Sequence, residues 1–267
     1  MALRITTWNV NSLRKRRDGL EALVRLVEPD IICLQETKVT DADFPSDWIK
    51  ELGYPHIHAH GMPGYNGVAI LSRHSLGRPA IRSWLSRDDR RHVSATIPLG
   101  EGIEIHSVYI PAGGDEPDPV KNPRFAHKLG FLEAFGKWSA GKRRGSAHVI
   151  LTGDFNVAPL PTDVWSHEKL LNVVSHTPRE VELLNRAFKA GRWVDAVRHV
   201  VPAEERLYTW WSYRAPDWAK ADKGRRLDHV WVTPSLKPSI KWASALREAR
   251  GWDTPSDHVP VTVVLDV

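Results

Sequence analysis

Cysteine is almost missing from this chain: in 267 residues only Cys33 is present, so no intrachain disulfide can form and packing must hold the fold. Long apolar runs are missing too. A membrane-spanning helix needs about 20 consecutive apolar residues, and none occurs. A secretory leader needs an apolar segment near the start, where this chain carries Arg4 and then Arg14 to Arg17. Both absences point to a cytoplasmic protein that does not enter a membrane. No internal repeat, low-complexity tract or linker-like break divides the chain, which reads as one domain over residues 1–267. Charge of one sign is not in large excess either: 37 Lys and Arg stand against 32 Asp and Glu, a net charge of +5. That mild basic balance suits a polyanionic partner without demanding one.

What is present is an apolar fraction of 42%, enough for one large core. It is cut into short runs: Leu3 to Val10, Ile31 to Leu34, Gly67 to Leu71, Val93 to Ile97, Ile103 to Ile110, His148 to Leu151, Leu227 to Val232 and Val259 to Leu265. Each has strand length. Cys33 falls inside the second run and reads as a buried strand residue. Helical periodicity lies between some of the runs. Over Ser12 to Leu26, Ser12 is placed to cap, and Leu20, Leu23, Val24 and Val27 share a face. Asn122 to Trp138 and Pro178 to Ala190 have the same character, the latter with Pro178 in the first turn and Glu180 close behind. Intermixed strands and helices indicate a layered α/β domain, two sheets face to face with helices outside. Periodicity leaves parallel and antiparallel pairing open.

Polar residues gather just beyond the ends of these runs. Asn9 closes the first, Gln35 and Glu36 follow the second, Asp154 and Asn156 follow His148 to Leu151, Asp228 opens a run, and Asp257 with His258 precedes the last. In α/β sheets, side chains from separated segments converge at strand ends. A carboxylate-rich crevice with little Cys or clustered His suits a hard, oxygen-loving cation such as magnesium rather than zinc. Phosphoryl chemistry uses such a site: the cation offsets charge on a phosphate, a carboxylate orients or deprotonates water, and an imidazole or phenol stabilises the transition state.

Six segments carry a resemblance. Trp8-Asn9-Val10-Asn11-Ser12-Leu13-Arg14, Leu34-Gln35-Glu36-Thr37-Lys38, Tyr109-Ile110-Pro111, Gly153-Asp154-Phe155-Asn156, Arg226-Leu227-Asp228 and Ser256-Asp257-His258 occur in this order over residues 8–258. Together they resemble the endonuclease/exonuclease/phosphatase family, and within it the exonuclease III and apurinic/apyrimidinic endonuclease type. The resemblance implies a four-layer α/β sandwich, two packed β-sheets flanked by helices, with the site at one sheet edge. It implies magnesium, with manganese as a second candidate, held by Glu36 as principal ligand with Asn9 and Asp257 nearby, and Asp154 and Asn156 beside it. Asp154 resembles the residue that activates or orients the attacking water, steadied by Asn156. His258 resembles a phosphate-contacting imidazole oriented by Asp228. Tyr109 would contact the scissile phosphate, as a phenolate in one version, and Asn11 and Lys38 would lie beside the DNA. His229, next to Asp228, reads as structural.

The implied partner is double-stranded DNA with abasic sites or 3′ ends, handled by a monomer with no obligate protein partner. Tyr208 to Arg214 resembles the aromatic loop that walls a pocket for an extrahelical abasic sugar, a lesion that is turned out of the helix cheaply. Trp210, Trp211, Arg225, Arg226 and Leu227 are therefore candidate DNA-binding residues. Two positions depart from the family pattern. Arg225 stands where an apolar or aromatic wall is usual, and Ala112 where relatives tend to carry Asn or Gln. Three basic clusters, Arg14 to Arg17, Arg87 to Arg91 and Lys142 to Arg144, are further candidates for backbone contact, although a charge run is more often a solvated face. The rival readings are a phosphoesterase acting on inositol phosphates, sphingomyelin or RNA, and a non-catalytic DNA-binding relative. The aromatic loop weighs against lipid substrates, and the filled catalytic positions weigh against lost chemistry.

Overall fold

Residues 1–142 and 147–267 are described by the computed structural model. One sheet contains β1 (Ala2–Asn9), β2 (Ile31–Gln35), β3 (His56–His60), β4 (Val68–Ser72), β13 (Ile240–Ala245) and β14 (Val261–Asp266), in the order β13-β14-β1-β2-β4-β3. The other contains β5 (Gly77–Ile81), β6 (His92–Ile97), β7 (Ile103–Tyr109), β8 (His148–Asp154), β9 (Val194–Asp195) and β12 (Asp228–Val232), in the order β5-β6-β7-β8-β12-β9. A two-stranded hairpin, β10 (Trp210–Trp211) with β11 (Gly224–Arg225), stands apart. All eight expected strands are present, with ends shifted by up to three residues.

Alternation along the strands makes the layers. Leu3, Ile5, Ile31 and Cys33 enter the core between the sheets with Ile105, Ile150 and Val230, while Trp8, Ile32 and Leu34 face outward onto Leu20 and Leu23 of the Arg17–Val27 helix. On the far side, Phe131, Phe135 and Leu184, from the Pro123–Gly141 and Pro178–Gly191 helices, cover Phe155 and Trp231. The result is the four-layer α/β sandwich. Two parallel pairs, β1 with β2 and β7 with β8, are embedded in otherwise antiparallel sheets. A parallel pair needs a crossover, and the Arg17–Val27 and Pro123–Gly141 helices supply the two. Between the sheets a polar clasp interrupts the apolar core: Gln35 Nε2 donates to Thr7 Oγ1 at 3.0 Å and to Ser107 Oγ at 3.0 Å.

Of the three helices expected from the sequence, two begin at a side-chain cap and one does not. Thr177 and Glu180 form a reciprocal capping box at the Pro178–Gly191 helix, and the Asn122 side chain caps Pro123–Gly141. Ser12 does not cap. Its φ is 94° and its side chain makes no capping bond. Its backbone N–H instead reaches Glu36 O at 2.8 Å, and Leu13 N–H reaches Thr37 O at 3.0 Å. These bonds pin the turn to the loop leaving β2, so a 3₁₀ turn over Leu13–Arg16 comes before the helix.

Candidate active site

Strand register brings the polar residues to one edge. Asn9 lies opposite Gln35 at the shared end of β1 and β2, which places Asn9 beside the exit toward Glu36. In the other sheet Tyr109 lies opposite Asp154 at the shared end of β7 and β8. β12 begins at the same edge, with Asp228 opposite Asp154. Asp257 and His258 arrive just before β14, and an isolated bridge pairs His258 with Trp210. Gly153, opposite Val108 in the parallel pair, lets β7 and β8 come close together just before Asp154. Its φ is +143°, and a Cβ there would lie 1.8 Å from the Val108 carbonyl oxygen.

The reacting groups are linked by hydrogen bonds. His258 Nδ1 faces Asp228 Oδ2 at 2.8 Å, and His258 Nε2 lies 3.6 Å from Asp154 Oδ2. Thr209 Oγ1 donates to Asp228 Oδ2 at 2.6 Å. Asp154 Oδ2 also accepts from Asn9 Nδ2 at 2.9 Å and from Asn156 Nδ2 at 3.0 Å. Glu36 Oε1 accepts from Asn9 Nδ2 at 2.9 Å and from the Tyr109 hydroxyl at 2.8 Å, while Lys38 Nζ lies 2.9 Å from Glu36 Oε2. Lys38 also donates to Asn11 Oδ1, and Asn11 Nδ2 donates to Asp257 Oδ1 at 3.0 Å. Four of these residues hold left-handed backbone: Asn11, Glu36, Lys38 and Asn156, with φ between 44° and 55°. Asn tolerates that region; for Glu and Lys it costs about 1 kcal/mol each.

Charge follows from this geometry. Burial lowers the His258 imidazole pKa, but Asp228 and Asp154 reverse the effect and raise it to about 10, so the ring is cationic at neutral pH. Burial raises the Asp154 carboxyl above its usual range, against the pull of His258. Burial acts on Glu36 in the same direction, yet Lys38 and the bonds from Asn9 and Tyr109 prevail and hold it below the usual range. Burial and Glu36 push the Tyr109 phenol well above its ordinary value. The Tyr109 hydroxyl accordingly donates to Glu36, which favours a neutral phenol over the phenolate version.

Glu36, Tyr109, Asp154, Asn156, Asp257 and His258 line one cavity of about 660 Å³, with Trp210, Arg225 and Leu227 on its wall. Its donors are mostly oxygens, as a hard divalent cation requires. Asp154, Asp228 and His258 bring ligand atoms within 4.8 Å of one another, a buried cluster able to hold a metal ion. The imidazole in that cluster is already committed to Asp228. Glu36, whose oxygens face an ammonium, an amide and a hydroxyl, offers the other cation-binding carboxylate. The donor set fits a hard divalent cation.

Two expected DNA contacts do not reach the surface. Arg226 is 1% exposed, with Nε 2.8 Å from Asp163 Oδ1 and Nη1 2.7 Å from Asp195 Oδ2; it ties the strand to the fold. Trp211 is 2% exposed, donates to Asp222 Oδ1 and packs against Tyr208 and Trp218. His229 is structural as expected: it lies fully buried on the Phe155 ring and bonds the Val157 carbonyl. In the basic clusters, Arg16 is buried against Tyr213 and Pro255, and Arg90 and Arg91 pair with Asp88 and Asp89. Arg143 and Arg144 lie outside the described residues. Sequence reading missed Thr209, although it lies inside the aromatic segment Tyr208 to Arg214, and Lys128. Lys128 left a trace: it falls in phase with Phe125, Leu132 and Phe135 on a buried helix face.

Two sheets delivering carboxylates, a carboxylate-held imidazole and a phenol to one cavity define a hydrolase site suited to phosphate esters. The chain belongs to the endonuclease/exonuclease/phosphatase family, whose model matches residues 6–258. It is 30% identical to the exodeoxyribonuclease of Bacillus subtilis (strain 168), over 99% of this chain and 100% of that protein. Among solved structures it resembles an AP endonuclease from Archaeoglobus fulgidus, with TM-score 0.90, 32% identity, 99% of this chain and all of the other. It is equally close to the 3′-5′ exonuclease NExo from Neisseria meningitidis, with TM-score 0.90 and 31% identity over 99% and 100% of the two chains.

Proposed function

We propose that this chain is a DNA-repair nuclease that hydrolyses phosphodiester bonds, as abasic-site endonuclease, 3′ to 5′ exonuclease or both. The observation that carries the reading is the Asp228–His258–Asp154 line meeting Glu36 and Tyr109 in one cavity. The named relatives, an exodeoxyribonuclease and an AP endonuclease, support DNA as the substrate. We place the activity in a single domain of a cytoplasmic monomer; no helix among the described residues is long and apolar enough to cross a membrane.

Asp154 is the base in this reading. Its raised pKa suits it to take a proton from water near neutral pH, and Asn9 and Asn156 fix its Oδ2. His258, held cationic by Asp228, donates toward a phosphate oxygen and stabilises charge that grows as the phosphorus becomes pentavalent. Tyr109 contributes a second neutral donor. Magnesium, with manganese as the substitute, would be held by Glu36 with Asn9 and Asp257 nearby, and supplies Lewis-acid stabilisation of the phosphate. Trp210 and Leu227 wall the space beside the reacting groups.

The test is cleavage of matched intact, abasic and recessed 3′-end duplexes, with and without magnesium. Asp154→Ala and His258→Ala should each lose at least about 100-fold in kcat while remaining folded. Full turnover by either folded variant removes it from the chemistry. Turnover of an inositol phosphate in preference to every duplex would move the site to another substrate.

A further inference from the structure

Arg225 is an unusual cation for a cavity wall, where it lies half-buried. It lies opposite Trp210 in the hairpin, its guanidinium 5.1 Å from that ring's centre. Its Nη1 donates to Val174 O at 2.9 Å and to Ser175 Oγ at 2.7 Å, which ties the hairpin to the facing loop. Unlike Arg226 next to it, which meets two carboxylates, Arg225 has no carboxylate within ion-pair distance among the described residues. Its Nε is buried and makes no hydrogen bond.

Among the described residues, one side of the guanidinium has no hydrogen-bond partner. With Nη1 taken, Nε and Nη2 remain, and this is the edge with which arginine grips an oxyanion in two parallel hydrogen bonds. Arg225 is half-buried, and a partly desolvated cation without a counter-ion gains from a ligand that supplies one. The same cavity adds Lys169 and Lys223, each over the Trp165 ring, at 5.4 Å and 5.0 Å. An uncharged sugar gains nothing from such a wall, whereas a phosphate meets positive charge and a donor fork together.

We propose that Arg225 is a specificity-determining residue that receives a phosphate oxyanion of the substrate through its Nε–Nη2 edge. The proposal rests on reading the cavity as a DNA phosphodiesterase site. Two sources bring that chemistry, a 3′-terminal phosphomonoester and the phosphodiester flanking a cut. In the first case water attacks the phosphorus and the P–O3′ bond breaks. Asp154 takes the water's proton, inorganic phosphate leaves, and the strand's O3′ picks up a proton.

The experiment compares the wild-type chain with Arg225→Met and Arg225→Lys on three duplexes: recessed 3′-phosphate, recessed 3′-hydroxyl and internal tetrahydrofuran. Arg225→Met should raise KM by about tenfold or more where the phosphate is read. A rise confined to the 3′-phosphate duplex identifies the terminal phosphate; a rise on the other two identifies the flanking diester. Arg225→Lys keeps the charge without the fork and should recover only part. Thermal stabilisation by inorganic phosphate, present in wild type and lost in Arg225→Met, reads the oxyanion site without turnover. Unchanged KM on all three duplexes, or a uniform fall in kcat with a lowered Tm, overturns the proposal. Wild-type protein that is stabilised by phosphate yet cleaves no duplex would instead overturn the nuclease reading and leave the oxyanion site standing.

Discussion

Asp228 and Thr209 commit one imidazole to one orientation. The ring of His258 is charged because a carboxylate lies on either side of it, at 2.8 Å and 3.6 Å. Removing the Asp228 charge should therefore show directly at His258. In Asp228→Asn, the imidazole resonance followed by NMR should titrate well below the wild-type ring, which stays protonated toward about 10, with Asp154 alone left beside it. The sign for stability follows. A raised folded-state pKa gives stabilisation that is full below about 6.5 and is lost as pH rises through about 10. The variant should lose part of that dependence in urea melts between pH 6 and 10. A wild-type ring that titrates at 6.5 would contradict the paired geometry.

At the scale of elements, the parallel ends of β7 and β8 depend on a single missing side chain. Gly153→Ala would press a Cβ into the Val108 carbonyl, forcing the strands apart where Tyr109 and Asp154 emerge. It should cost about 3 kcal/mol or more in denaturant unfolding, whereas an ordinary strand glycine would gain from alanine. How legible each element was depends on where its partners lie. Runs such as Ile31 to Leu34 are apolar on every residue because both sheet faces are covered, so they announce themselves. β5, exposed at all five residues, and β3, rich in half-buried histidine, are edge strands with no apolar signature, and they were not read. The site was legible for the same reason as the buried strands: Asn9, Glu36, Asp154 and Asp228 interrupt apolar runs. Arg226 was misread because its partners, Asp163 and Asp195, are 63 and 31 residues away. Nothing local distinguishes a buried arginine from one facing DNA.

Across the whole molecule, a buried ion pair joins the loops around the cavity. Lys128 and Glu180, both fully buried, meet between the two long helices. Lys128 also donates to the carbonyls of Ala112 and Asn156, and Glu180 accepts from Ser175 N–H and Thr177 N–H. Lys128→Met would strand a buried carboxylate and should destabilise by about 3–5 kcal/mol in urea. Adding Glu180→Gln should return part of the loss, and no recovery would mean that the pair is not the cause.

Asn9, Glu36, Asp257 and His258 come from one sheet and Tyr109, Asp154 and Asp228 from the other, so the distance across the reaction centre is an inter-sheet distance. The Thr7–Gln35–Ser107 clasp acts as a dowel that stops the two sheets from gliding. Loops at the rim can then be exchanged, and the repertoire of lesions altered, without recalibrating the machinery beneath them.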